Sequence, residues 1–144
     1  MSWLSKRLVV VPIDFSDDSM AALDEAQKMV EDASHLHVIH VLGEISPAEP
    51  GIVWESITDD TRRAHATKEL KALLQNRGID GASVRIEIGE PAHEIADFAE
   101  TIGADLIVLP SHGRTGFRRL MIGSVAERVV RLAHCPVLVL KKAR

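Results

Sequence analysis

The sequence predicts an α/β fold, a doubly wound five-stranded parallel sheet of Rossmann-like type, and three observations carry that prediction. Short apolar runs alternate with longer segments of helical periodicity in the order β-α-β-α-β-α-β-α-β, the pattern of parallel strands joined by right-handed crossovers with helices on both faces. Two of the runs, Arg7 to Ile13 (RLVVVPI) and Asp105 to Leu109, are continuously apolar over most of their length, as in strands covered on both sides. A third, Val84 to Ile88 (VRIEI), alternates apolar with charged residues, as at a half-exposed sheet edge. With the continuous runs central and the alternating one at an edge, the strand order is 3-2-1-4-5, and its winding reverses between strands one and four.

The elements follow in order. Asp14 closes the first strand, and Ser16, Asp17 and Asp18 supply N-cap candidates for a helix over roughly 19–31 whose apolar face is Met20, Leu23, Ala26, Met29 and Val30. Leu36 to Leu42 (LHVIHVL) is the second strand, and 44–54, with Pro47, Pro50 and Gly51, is an irregular loop. A long charged helix spans about 57–77, with Ile57, Ala64, Leu70, Leu73 and Leu74 toward the core and Gly78 past its end. After VRIEI, Gly89 and Glu90 turn the chain and Pro91 starts a helix striped by Ala92, Ile95, Ala96, Ala99 and Ile102. The fourth strand runs into a loop from Pro110 to Ile122; Ser124 to Ala133 is the last helix and Pro136 to Lys141 the last strand.

At 144 residues and 46% hydrophobic, the chain is expected to form a single domain over 1–144, since six prolines and nine glycines are spread along it rather than pooled in a linker. A net charge of -4 offers no global footprint for nucleic acid or an anionic membrane. The lone Cys135 excludes an intrachain disulfide and fits a reducing compartment. The apolar run before Asp14 is too short for a membrane span, so a cytoplasmic protein is expected.

Chemistry concentrates in Leu106 to Val125 (LIVLPSHGRTGFRRLMIGSV). A strand feeding a glycine-bearing loop that enters a helix N-terminus makes an anion site from orphan N–H groups and the helix dipole. Gly113, Gly123, Ser124 and Val125 are the backbone donors expected there, with Arg114 adding charge; Ser124 serves as N-cap or as a hydroxyl on phosphate. Arg128 and Arg131 are placed on a solvated helix face. Asp14 falls beside the same crevice, to accept ribose hydroxyls or to cap the next helix. No Walker A or G-x-G-x-x-G sequence is present. Ser111-His112 lacks a G-x-S-x-G elbow and an orienting acid, so hydrolytic catalysis is not expected from it. His35, His37 and His40 read as strand-edge residues rather than a zinc site.

These stretches together resemble the universal stress protein family: VVVPIDFS at the first strand, LHVIHV at the second, GEPAHEI after the third, DLIVLPSHGRTG at the fourth and LMIGSVAERVVRLAHCPVLVLK to the end. The resemblance implies a compact α/β domain, usually dimeric, that in one branch binds ATP through glycine, two residues, glycine, nine residues, then glycine with serine or threonine. Carried across, Asp14 matches the ribose-contacting acid, with Pro12 beside it. Val41 matches the residue whose backbone meets adenine, and Gly113, Gly123 and Ser124 match the last pattern positions. The first glycine of the pattern is Pro110 here, and proline supplies neither an N–H nor positive φ. The expectation is an ATP-binding stress-response regulator, with or without magnesium and at most a weak ATPase. The alternative is a nucleotide-free dimer acting through protein contacts, and an ATP-cleaving or adenylating enzyme ranks last. In either of the first two cases the last strand, Val137, Leu138, Val139 and Leu140, is an apolar edge suited to homodimer pairing.

Overall fold

The computed structural model describes residues 6–44, 58–112 and 122–141. Five strands, β1 (Val9–Pro12), β2 (Leu36–Leu42), β3 (Ser83–Ile88), β4 (Leu106–Pro110) and β5 (Val137–Leu140), form one sheet in the order β3-β2-β1-β4-β5, each neighbour parallel. The predicted order is the observed one. Among the described residues four α-helices, α1 (Asp17–Gln27), α2 (Asp59–Asn76), α3 (Pro91–Ile102) and α4 (Ser124–Leu132), connect the strands, and a 3-10 turn, Ala33–His35, leads into β2.

Side chains alternate across each strand, which divides the interior into two layers. Val9 and Val11 of β1 pack with Leu23 of α1 and with Leu70 and Leu74 of α2. Val10, between them, points to the other face and packs with Ile95 of α3 and Val129 of α4. At the amino-terminal end of the sheet, Asp105 Oδ2 accepts from the amides of Arg7 and Leu8 at 2.9 and 3.0 Å, tying the entry of β4 to that of β1.

The helix ends differ in part from expectation. Ser16 caps α1, its Oγ accepting from Ser19 N–H, so α1 begins at Asp17; it ends at Gln27, and Met29 and Val30 pack against the core from beyond its end. Thr58 and Thr61 form a reciprocal capping box that starts α2 at Asp59. In that phase the buried stripe is Ala66, Leu70 and Leu74, while Ala64 faces solvent, contrary to its expected place in the core. Ile57 lies outside the described residues. Glu90 caps α3 through its carboxylate, Pro91 occupies the first turn, and Gly103 ends the helix at φ 69°, the left-handed position that glycine tolerates.

Candidate functional site

A cavity of about 350 Å³ opens at the carboxyl ends of the strands, where β1 and β4 part. This is the reversal point of the winding, the usual ligand position in open α/β sheets. The ladder register explains why it opens there. The pairs joining β1 to β4 are Val9 with Leu106 and Val10 with Ile107. Ile13 N–H donates to Ile39 on β2, and Ile107 and Ser111 N–H donate toward β5; because donors alternate sides along a strand, positions 12 and 110 are the next ones facing the gap. Both are proline. Neither has an N–H to carry the ladder further, so the strands separate, and Pro12 and Pro110 line the cavity. Pro110 is thus accommodated at a strand end, where the ladder to β1 has stopped.

Asp14 stands at the mouth of this cavity. Its Oδ1 accepts from both the amide and the hydroxyl of Ser16, which orients the carboxylate. Phe15, between them, holds φ 65°, a left-handed conformation costing a bulky residue on the order of 1 kcal/mol. Its ring meets His40 edge-on at 4.8 Å, and His40 Nδ1 donates to Ile13 C=O at 2.6 Å, so strand ends and turn brace one another. Ile39 and Val41 of β2, Leu109 of β4 and Ile95 of α3 make an apolar wall.

The opposite wall is the start of α4, with Ser124 and Val125 lining the cavity. The N-cap is Gly123, which brings no side chain, and Ser124 is the first helical residue, not the cap. Gly123 N–H is not an open donor: it bonds Ser111 C=O at 2.5 Å. The first bond within the helix is Glu127 N–H to Gly123 C=O. The amides of Ser124, Val125 and Ala126 therefore precede the ladder and are the donors this helix start presents. A Cβ on Gly123 would stand 2.9 Å from Ser111 O and 3.7 Å from His112 Cα, so the close approach of α4 to β4 requires glycine there.

His112, adjoining this contact, lines the cavity and is 4% exposed, and its Nδ1 has no hydrogen-bond partner among the described residues. Ser111 is likewise buried. From sequence this pair is weighed only as a nucleophile and base, that role is set aside, and the pair is not placed in the site. Ser19 and His40 were missed as lining residues; the signal available was His40's place beside Val41 on the second strand.

One ion pair braces the site from outside. Arg128 of α4 donates to Glu90 Oε1 at 2.8 Å, so it is a cross-helix partner rather than part of a purely solvated face. Burial alone would raise the Glu90 carboxyl, but the amides of His93 and Ala92 and the Arg128 guanidinium outweigh it and hold the group below the usual carboxylate range. The pair joins the start of α3 to the middle of α4, two helices whose first turns border the cavity.

Gly113 and Arg114, named as phosphate contacts, lie outside the described residues. Among the described residues no cluster of three His, Cys, Asp or Glu side chains is placed to hold a metal. Burial and the nearby Asp105 push the Cys135 thiol up, away from its reactive form. No described helix is long and apolar enough to cross a membrane.

Comparison with known proteins places this geometry. The sequence model of the universal stress protein family matches residues 6–141. The chain is similar to the universal stress protein MJ0531 of Methanocaldococcus jannaschii, 38% identical over 144 aligned residues covering 94% of this chain and 82% of that protein. It is similar to the universal stress protein YxiE of Bacillus subtilis, 35% identical, with 92% and 97% covered. Among solved structures, the universal stress protein UspA from Lactobacillus plantarum shares the architecture at a TM-score of 0.74 and 28% identity, covering 98% of this chain and 99% of that one. With the five-stranded order, the open crevice and a family match along nearly its whole length, the chain belongs to the universal stress protein family.

Proposed function

We propose that this protein is a single-domain, ATP-binding regulator or interaction module whose nucleotide occupies the crevice between Asp14 and the start of α4. The observation that carries the reading is the convergence, on one cavity at the winding reversal, of an oriented carboxylate, an apolar wall and three helix-start amides. The chemistry of a nucleoside phosphate divides the same way. Adenine takes the apolar wall beside Val41, the ribose hydroxyls donate to Asp14, and the phosphates meet the amides of Ser124, Val125 and Ala126 at the positive end of the helix. The hydroxyl of Ser124 is beside them, and Gly113 and Arg114 complete the phosphate side in this reading. Magnesium, where present, travels with the phosphates.

Calorimetry with ATP, ADP, AMP and cyclic AMP tests this directly. ATP binds more tightly than AMP, and Asp14→Ala weakens binding by about 1–3 kcal/mol, the scale of a lost hydrogen bond to a charged group. Absence of heat or competition with every adenine nucleotide up to about millimolar concentration, near 4 kcal/mol of affinity, would overturn it.

A second reading concerns assembly and is favoured by one specific observation: all four residues of β5 keep partial exposure on an unpaired sheet edge. Pairing Val137, Leu138, Val139 and Leu140 with the same strand of a second copy covers that surface in a homodimer. If the nucleotide reading fails, this surface is where function resides.

A further inference from the structure

We propose that His112 is the residue through which the site reads ligand charge: its Nδ1 hydrogen-bonds a phosphate of the bound nucleotide, and the imidazole takes up a proton as it does so. This rests on the nucleotide reading above and adds to it a specificity-determining residue and a linked proton. The starting point is a cost. A polar atom buried without a partner forfeits the hydration it had in the unfolded chain, and such atoms call for a specific explanation. His112 is 4% exposed, its Nδ1 is unpartnered among the described residues, and the ring borders the cavity. A ligand atom supplies the missing partner.

The position of the ring identifies that ligand atom as anionic. Ser111 C=O receives the Gly123 amide, and a Cβ on Gly123 would lie 3.7 Å from His112 Cα. His112 is therefore packed beside the start of α4, where the open amides of the helix favour negative charge. A phosphate bound there favours an imidazolium beside it, and a charge-assisted bond from Nδ1–H gives the orphaned atom its partner.

The sign follows by linkage. The group binds its proton more tightly in the complex than in the free protein, so affinity for a phosphorylated ligand is highest at low pH. It falls as pH rises through the free and then the bound value, and levels off above them. Among the described residues, the other titratable side chains facing the cavity are Asp14, from the end of β1, and His40, from β2; α1 contributes Ser19, and α3 contributes Pro91 and Ile95. Carboxylates ordinarily titrate near about 4, below this window, whereas His40 must be controlled for.

The experiment is calorimetry of ATP, AMP and adenosine between about pH 6 and about pH 8, the range bracketing histidine's ordinary value of about 6.5, in pairs of buffers with different ionisation enthalpies. For the wild type, ATP affinity falls about tenfold across the range, the effect of a one-unit pKa rise on binding, and the buffer pairs report net proton uptake. Adenosine binding is flat with pH. His112→Asn keeps a neutral donor near the Nδ1 position, so it retains ATP binding but loses the part of the pH dependence that exceeds the titration of ATP itself; His112→Gln checks the same loss in a second side chain. His40→Asn keeps the dependence. The proposal is overturned if wild-type uptake is absent while ATP binds, if His112→Asn and His112→Gln titrate like the wild type, or if His40→Asn abolishes the effect. Should no adenine nucleotide bind at all, the nucleotide reading itself falls and this proposal with it.

Discussion

The two edges of the sheet solve the same problem in opposite ways. On β3, charged residues alternate with apolar ones: Arg85 and Glu87 share one face and pair at 2.5 Å, and the Arg85 guanidinium lies 5.8 Å from the centre of the Phe98 ring. On β5 all four residues are apolar, Leu138 and Leu140 against one layer of the core and Val137 and Val139 against the other. An exposed ion pair contributes little to stability, so the charges on β3 are better understood as a barrier to strand addition. The lack of that barrier on β5 leaves this edge open to the homodimer pairing proposed above.

Converting β5 into an edge like β3 gives the largest effect. Val139→Lys, measured by sedimentation equilibrium, shifts the protein to monomer and weakens self-association at least about 100-fold, near 2.7 kcal/mol, with a folded circular dichroism spectrum. A wild-type protein that is monomeric at about 50 µM, where a moderate micromolar affinity would hold it paired, refutes the dimer. The reverse conversion is smaller. Arg85→Val with Glu87→Val removes the barrier on β3 and gives concentration-dependent association beyond the dimer in light scattering; unchanged scattering means that strand twist or α2, not charge, protects that edge.

The smallest effect comes from His37, on the face of β2 nearer the charged edge, 6.4 Å from Phe98. Burial, then the neighbouring His35, lowers its pKa. The unfolded chain therefore takes up a proton at higher pH than the folded one, so this residue's contribution is complete above about 6.5 and is lost as pH falls from there through the folded value. Urea titrations of His37→Leu show a shallower loss of stability on acidification than the wild type; equal slopes would assign the loss elsewhere.

What could be read from the sequence tracks how local the cause is. The strand order was legible because burial on two faces leaves continuous runs such as VVV and LIVL, and a half-exposed edge leaves the alternation VRIEI. The buried stripe of α2 was less so, because Ala64 and Ala66 are alike in composition and the capping box at Thr58 and Thr61 sets which one turns inward. The site divides similarly. Asp14, Ser124 and Val125 were found from their places at a strand end and a helix start, Val41 only through the family resemblance, and all four line the cavity. The partnership of Arg128 with Glu90 joins distant segments and leaves no mark in either. Pro12 and Pro110 were visible as residues, but their joint role depends on the register of two strands that the sequence does not print.

The short bond from Gly123 N–H to Ser111 C=O has a consequence for how members of such a family can diverge. It fastens the start of α4 directly to the end of β4, so one contact between backbones fixes how far the two walls of the crevice stand apart. A relative with a side chain at position 123 must move the whole helix start outward, because a Cβ there meets Ser111 O at 2.9 Å. The width of the pocket is therefore decided at a single residue.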